Sequence, residues 1–173
     1  MQHNIVYHWI SEYILELFER DVKLKNVDGF EVLKGINGTL ECNLYEPIIS
    51  IFGLIQFEKL LKLRKEEEQL TSEDCILWLS NCILLSSKMH EDHRLRTKEF
   101  YEETKLEELG ISFHEFLHHE RNVFKILDYN LNIKQDEIQI FIESNSRSIS
   151  SKVVSIIWEK CKFCFEQRRK LTF

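Results

Sequence analysis

Along the first twenty residues the apolar positions Ile5, Val6, Trp9, Ile10, Tyr13, Ile14, Leu17 and Phe18 return at four- and one-residue steps. That spacing predicts an amphipathic N-terminal helix over residues 5–20. Residues 24–45 keep no sustained period and hold three of the five glycines, so the pattern predicts a loop there. Pro47 suits the first turn of a helix, and from Ile48 to Leu63 the apolar residues wrap most of the circumference. Thr71 and Asp74 stand at capping-box spacing and open the next segment, about residues 73–89. This segment is apolar nearly all round (Ile76, Leu77, Trp78, Leu79, Cys82, Ile83, Leu84, Leu85) and belongs in the middle of a bundle. Its Ser80, Ser86 and Ser87 are small enough to let neighbouring helices approach closely. A short polar helix near 97–106 ends before Gly110, and Ser112 with Glu115 repeats the capping-box spacing to start a helix reaching about Leu127. Helices near 135–143 and 150–169 complete an all-α reading in a single domain, residues 1–173.

Composition agrees with that class. Of 173 residues 43% are hydrophobic and 12% aromatic, enough to build one substantial core. Five glycines and one proline are too few for the tight turns of sandwiches and barrels. Gly35 and Gly38 match neither a P-loop nor a dinucleotide fingerprint. The net charge of −6 argues against a general nucleic-acid binder. From Ser146 onward seven Lys/Arg face Glu159 and Glu166, a net +5 that leaves the rest of the chain at −11 and suggests a protein-facing surface. The start lacks a basic stretch followed by an apolar one, and the most apolar run, Cys75 to Leu85, is too short to span a bilayer. No membrane partner is expected. The five cysteines are odd in number and three lie in apolar helical patterns, so reduced thiols in a nuclear or cytoplasmic protein are expected.

Three constellations could carry chemistry. His114-Glu115-Phe116-Leu117-His118 fits H-E-x-x-H, in which two imidazoles one turn apart bind zinc and the Glu activates its water. On a helical wheel, however, Phe113, Phe116, Leu117, Phe124 and Leu127 define the buried face, and His114 and His118 fall with Arg121 and Lys125 on the solvent side. Glu115 is also the expected capping partner of Ser112. Solvated histidines on a capped helix are therefore expected, with no metal and no cofactor. Cys161-Lys-Phe-Cys164 has half a zinc-site spacing without a second pair, so both are expected as buried core thiols. Glu120 is the most informative residue. It sits near the centre of the apolar face, where an unpaired carboxylate is costly, and Lys88 at the end of the most apolar helix is its natural partner. Such a pair either ties two helices together or serves a partner.

These residues carry a resemblance. The run Cys75 to Lys88, a series of small and apolar residues ending in Ser-Ser-Lys, with Met-His-Glu-Asp92 behind it, resembles the third helix of a cyclin box. Thr71-Ser-Glu-Asp74, which opens that helix, is cyclin-like as well. Ile111 to Glu120, then Val123-Phe-Lys-Ile-Leu-Asp-Tyr-Asn-Leu-Asn-Ile133, resembles the fifth helix and its exit. Glu46 to Leu61 is most similar to the second helix of Cables-type cyclin-like proteins. The resemblance covers about residues 44–135. It implies a five-helix cyclin box with flanking N-terminal and C-terminal helices. It also implies a non-enzymatic regulatory subunit that binds and activates a cyclin-dependent protein kinase and is monomeric when free. Lys88 and Glu120 match the family's Lys and Glu, which meet across two helices and contact the kinase near its αC helix. An alternative is a cyclin-fold adaptor that binds other proteins and activates no kinase. Two departures stand out. Residues 5–18 lack the Met-Arg-Ala-Ile-Leu run that docks substrates in cell-cycle cyclins, and the chain after Ile133 is too short for a second box.

Overall fold

The computed structural model describes residues 2–64, 69–91, 96–145, 151, 154–159 and 162. Among the described residues up to Asn145, seven α-helices follow one another: α1 (Gln2–Arg20), α2 (Gly29–Leu40), α3 (Pro47–Leu63), α4 (Ser72–His90), α5 (Thr97–Glu103), α6 (Phe113–Ile126) and α7 (Gln135–Ser144). Short 3₁₀ turns occupy Val22–Leu24 and Leu106–Leu109. Residues 154–159 are also helical, and no strand occurs among the described residues.

The wetness of each helix sets its place. Every residue from Cys75 to Ser87 of α4 is buried, as is every residue from Ile48 to Phe57 of α3. A helix with no wet face must be covered on all sides. Accordingly α4 packs against α3, α6 and α2, and α1 lies over α2 and α3. Helices α3 and α4 run antiparallel. The Glu46 backbone N–H at the start of α3 donates to Glu91 Oε1 just past the end of α4, at 2.8 Å. At the other end the Arg64 guanidinium lies 5.2 Å from the Trp78 ring centroid. Aromatic contacts close the periphery. Phe100 of α5 stacks on Phe116 of α6 at 5.9 Å, and Phe141 of α7 meets Trp9 and Tyr13 of α1 at 5.8 and 5.0 Å. Past α6, the Leu131 carbonyl accepts from Gln56 Nε2 at 2.8 Å, which fastens the exit segment to α3.

The expected loop at 24–45 is corrected by α2. Asp28 caps that helix by accepting from the Phe30 N–H at 3.0 Å, and Val32, Ile36 and Leu40 are buried at i, i+4 spacing. Its glycines are packing residues rather than turn residues. A Cβ on Gly38 would stand 2.4 Å from the Thr104 carbonyl oxygen, so this backbone-to-backbone approach excludes any side chain. The polar helix expected at 97–106 ends at Glu103, and Lys105 in the left-handed region (φ 58°) leads into the second 3₁₀ turn. Thr71 and Asp74 form the full capping box. At the head of α6, Ser112 Oγ accepts from the Glu115 N–H at 3.1 Å, but the Glu115 carboxyl turns to Glu73 of α4. Cys161 and Cys164, and most of the expected helix at 150–169 with its basic residues, lie outside the described residues.

Candidate functional site

Where α4 leaves the core its sequence switches from Ser86-Ser87 to Lys88-Met89, and Lys88 is the first residue of the helix to reach solvent after thirteen buried ones. Glu120 projects from α6 between Phe116 and Val123, both fully buried. The two side chains meet, with Lys88 Nζ 2.6 Å from Glu120 Oε1. A third element completes the arrangement. Thr97, the first residue of α5, accepts from Lys88 Nζ at 2.6 Å and donates its hydroxyl proton to Glu120 Oε2 at 2.9 Å. Ammonium, hydroxyl and carboxylate thus form a closed ring in which both carboxylate oxygens have a donor. Hydrogen bonds to ionised groups are the stronger kind.

The ring is neither core nor free surface. The Lys88 side chain retains 30% of its accessibility and Glu120 13%. The Glu120 side chain is largely withdrawn from water, and the Lys88 side chain less so. Met89, the next residue, is 41% exposed beside it. On the far side Phe52 and His90 are in ring contact at 4.7 Å. The site therefore sets a cation and an apolar neighbour at the end of a fully packed helix.

His114 and His118 are both exposed on the outer face of α6, and His118 Nε2 lies 3.2 Å from Asn122 Nδ2. Among the described residues no three His, Cys, Asp or Glu side chains stand close enough to hold a metal ion. The neighbour His119 carries no sequence signal that sets it apart from His114 and His118. It turns inward, its Nδ1 is buried without a hydrogen-bond partner, and desolvation holds its pKa below the usual imidazole value despite Asp74 and Glu115 nearby. The buried face of α6 runs through Phe116, Val123 and Leu127, with Phe113, Leu117 and Phe124 only half-buried along its edge. That rotation brings His119 as well as Glu120 against the core.

Thr97 left no mark in the sequence, since one hydroxyl at the start of a polar helix has neither period nor charge to reveal it. Cys42, Cys75 and Cys82 are buried free thiols. Burial pushes the Cys75 thiol up to about 12. No helix among the described residues is long and apolar enough to cross a membrane. No protein-family model, curated protein or solved structure matches the chain.

Proposed function

We propose that this protein is a cyclin-box regulatory subunit that binds and activates a cyclin-dependent protein kinase through the surface around Lys88 and Glu120. The observation that carries the reading is the Lys88–Glu120 bridge itself, at 2.6 Å and with the lysine still open to solvent. The two positions stand out as charges against apolar helix faces, and they also match the Lys and Glu of the cyclin-box helices that these runs resemble. They meet although 32 residues apart.

The helix order supports the same reading. With α4 as third helix and α6 as fifth, α2 becomes the first and α1 the flanking N-terminal helix. The substrate-docking run of cell-cycle cyclins would then fall on α2, and Gly29–Leu40 lacks it as residues 5–18 do. The hub of the series α2–α6 is α4, packed against α2, α3 and α6. The subunit's action would be positional. A rigid helix end docked beside αC holds that helix where the kinase's own Lys–Glu pair can form, a condition for phosphoryl transfer.

The test is capture of the full chain with a panel of cyclin-dependent kinases, followed by assay of each captured kinase. Activation by wild type, with binding weakened in Lys88→Glu, is the expected result. Losing a buried charged contact from Lys88 to the kinase costs about 2–5 kcal/mol, roughly 30- to several-thousand-fold in affinity. Circular dichroism must show the variant folded. Binding without activation would establish the adaptor instead. Binding of every kinase unchanged in folded Lys88→Glu would remove the bridge from the interface.

A further inference from the structure

We propose that Thr97 is a phosphorylation site, and that a phosphate there opens the Lys88–Glu120 bridge and switches off the surface the bridge supports. The consequence for kinase binding rests on the function proposed above; the chemistry at Thr97 does not.

Position comes first. The Thr97 hydroxyl is the link between the two charges, accepting from Lys88 at 2.6 Å and donating to Glu120 at 2.9 Å. In sequence, Arg94 and Arg96 stand three and one residues before it. Guanidinium groups placed just ahead of an acceptor hydroxyl are what the acidic substrate groove of an arginine-directed protein kinase selects. Access follows from the local structure. Thr97 is half-buried, while Arg96, Lys98 and Glu99 around it are exposed. Helix α5 has only seven residues, and Arg96 gives its first turn no side-chain cap. One turn of so short a helix opens readily. Its second half stays anchored by Phe100 and Tyr101, both buried, so opening at Thr97 leaves the core closed.

The reaction is ordinary phosphoryl transfer from ATP. The Thr97 O–H bond breaks and an O–P bond to the γ-phosphorus forms. ADP leaves, and the proton passes to the base of the modifying kinase. The ester oxygen has no proton to donate, so Glu120 Oε2 loses its Thr97 donor by the chemistry alone. A group carrying about −1.5 to −2 charge then stands beside the Glu120 carboxylate and competes for the single ammonium of Lys88. Lys88 is drawn to the phosphate, and Glu120 is expelled from the ring or left unpaired.

The test treats the full chain with an arginine-directed kinase and ATP, maps the modified residue by mass spectrometry, and uses Thr97→Val as the unmodifiable control. Modification at Thr97 is expected. It should lower the melting temperature by about 3 °C or more. In Glu120→Gln, which has no carboxylate to repel, the drop should largely vanish. Binding of any cyclin-dependent kinase captured by the unmodified chain should weaken at least about tenfold. Failure to phosphorylate Thr97 overturns the proposal. So does a phosphorylated protein whose melting temperature is unchanged, a drop equally large in Glu120→Gln, or unchanged kinase binding. If the drop appears in wild type alone but no cyclin-dependent kinase binds either form, the switch at the bridge stands and the kinase-regulator reading falls.

Discussion

Replacing Lys88 by Met, Glu120 by Gln, and then both separates what the bridge gives the fold from what it offers a partner. Exposed ion pairs contribute about 0–1 kcal/mol, whereas losing one partner of a fully buried pair costs about 3–5 kcal/mol. Accessibilities of 30% for Lys88 and 13% for Glu120 place this pair between those limits, with the carboxylate nearer the buried one. Lys88→Met keeps the aliphatic stem and strands the carboxylate with Thr97 as its donor within the ring, so a cost of about 2 kcal/mol follows. Glu120→Gln keeps the shape and an acceptor for Lys88, and about 1 kcal/mol is expected. Once either charge is gone the other substitution removes less, so the double variant should cost about 2 rather than about 3 kcal/mol, a coupling of about 1 kcal/mol.

For a chain of this size each kcal/mol moves the melting temperature by about 2–4 °C, so Lys88→Met should melt about 4–8 °C below wild type. Calorimetry on the four proteins reads this directly. Repeating it in high salt adds a second check, because a pair withdrawn from water is screened less than an exposed one. Additivity within about 0.3 kcal/mol would show that the bridge holds nothing in place. Failure of Lys88→Met to fold at all would refute its position at the edge of the core.

Three further outcomes follow from other contacts. Gly53→Ala puts a Cβ 2.4 Å from Ile83 Cγ1 and 2.9 Å from Ile83 Cα, so α3 and α4 must separate; urea unfolding should show a net loss of about 1–2 kcal/mol despite alanine's better helix propensity, and a stabilised variant would contradict the close crossing. Cys42, Cys75 and Cys82 should label only slowly with a thiol reagent at pH 8 until denaturant is added, since burial raises all three thiol pKa values; fast native labelling of Cys75 or Cys82 would count against their burial. The Glu73 pKa is raised, first by its hydrogen bond with Glu115, then by burial. The folded form therefore holds the proton more tightly, and this contribution to stability is present below the ordinary carboxylate pKa and lost as pH rises through the folded one. Glu73→Gln should consequently be slightly more stable than wild type at pH 7, by a few tenths of a kcal/mol on so exposed a site, and lose that advantage near pH 4; the opposite trend would mean the folded protein does not raise the Glu73 pKa.

How legible each element was depends on what its residues do. Helix α4 could be read directly, because burial on every side writes apolar residues at every position from Cys75 to Leu85 apart from small Ser80 and Asn81. Helix α2 was hidden by its glycines. In a sequence Gly35 and Gly38 signal a turn, whereas in the fold α2 packs closely on its neighbours, with Gly38 against the Thr104 carbonyl. The signal that remained was local. Asp28 with Glu31 three residues on has capping-box spacing, and Val32, Ile36 and Leu40 keep a four-residue period. A loop was the wrong reading because glycine's two uses, permissive dihedrals and absent volume, leave the same letter.

The candidate site divides along the same line. Glu120 was conspicuous because a charge on an apolar face demands an explanation, and Lys88 because a fully apolar helix ended on a cation. Both are anomalies against a periodic background, and such anomalies survive in one dimension. His119 and Thr97 are not anomalies. One slip in the assumed rotation of α6, from a face centred on Phe116 and Leu117 to one centred on Phe116 and Val123, decides whether His119 faces water or the core. Thr97 matters only because α5 brings its hydroxyl between two charges carried by other helices. A hydroxyl can both donate and accept, so it can join an ammonium to a carboxylate wherever the fold delivers it. The bridge is thus a property of three elements at once, and whatever displaces the start of α5 acts on Lys88 and Glu120 without touching either helix that bears them.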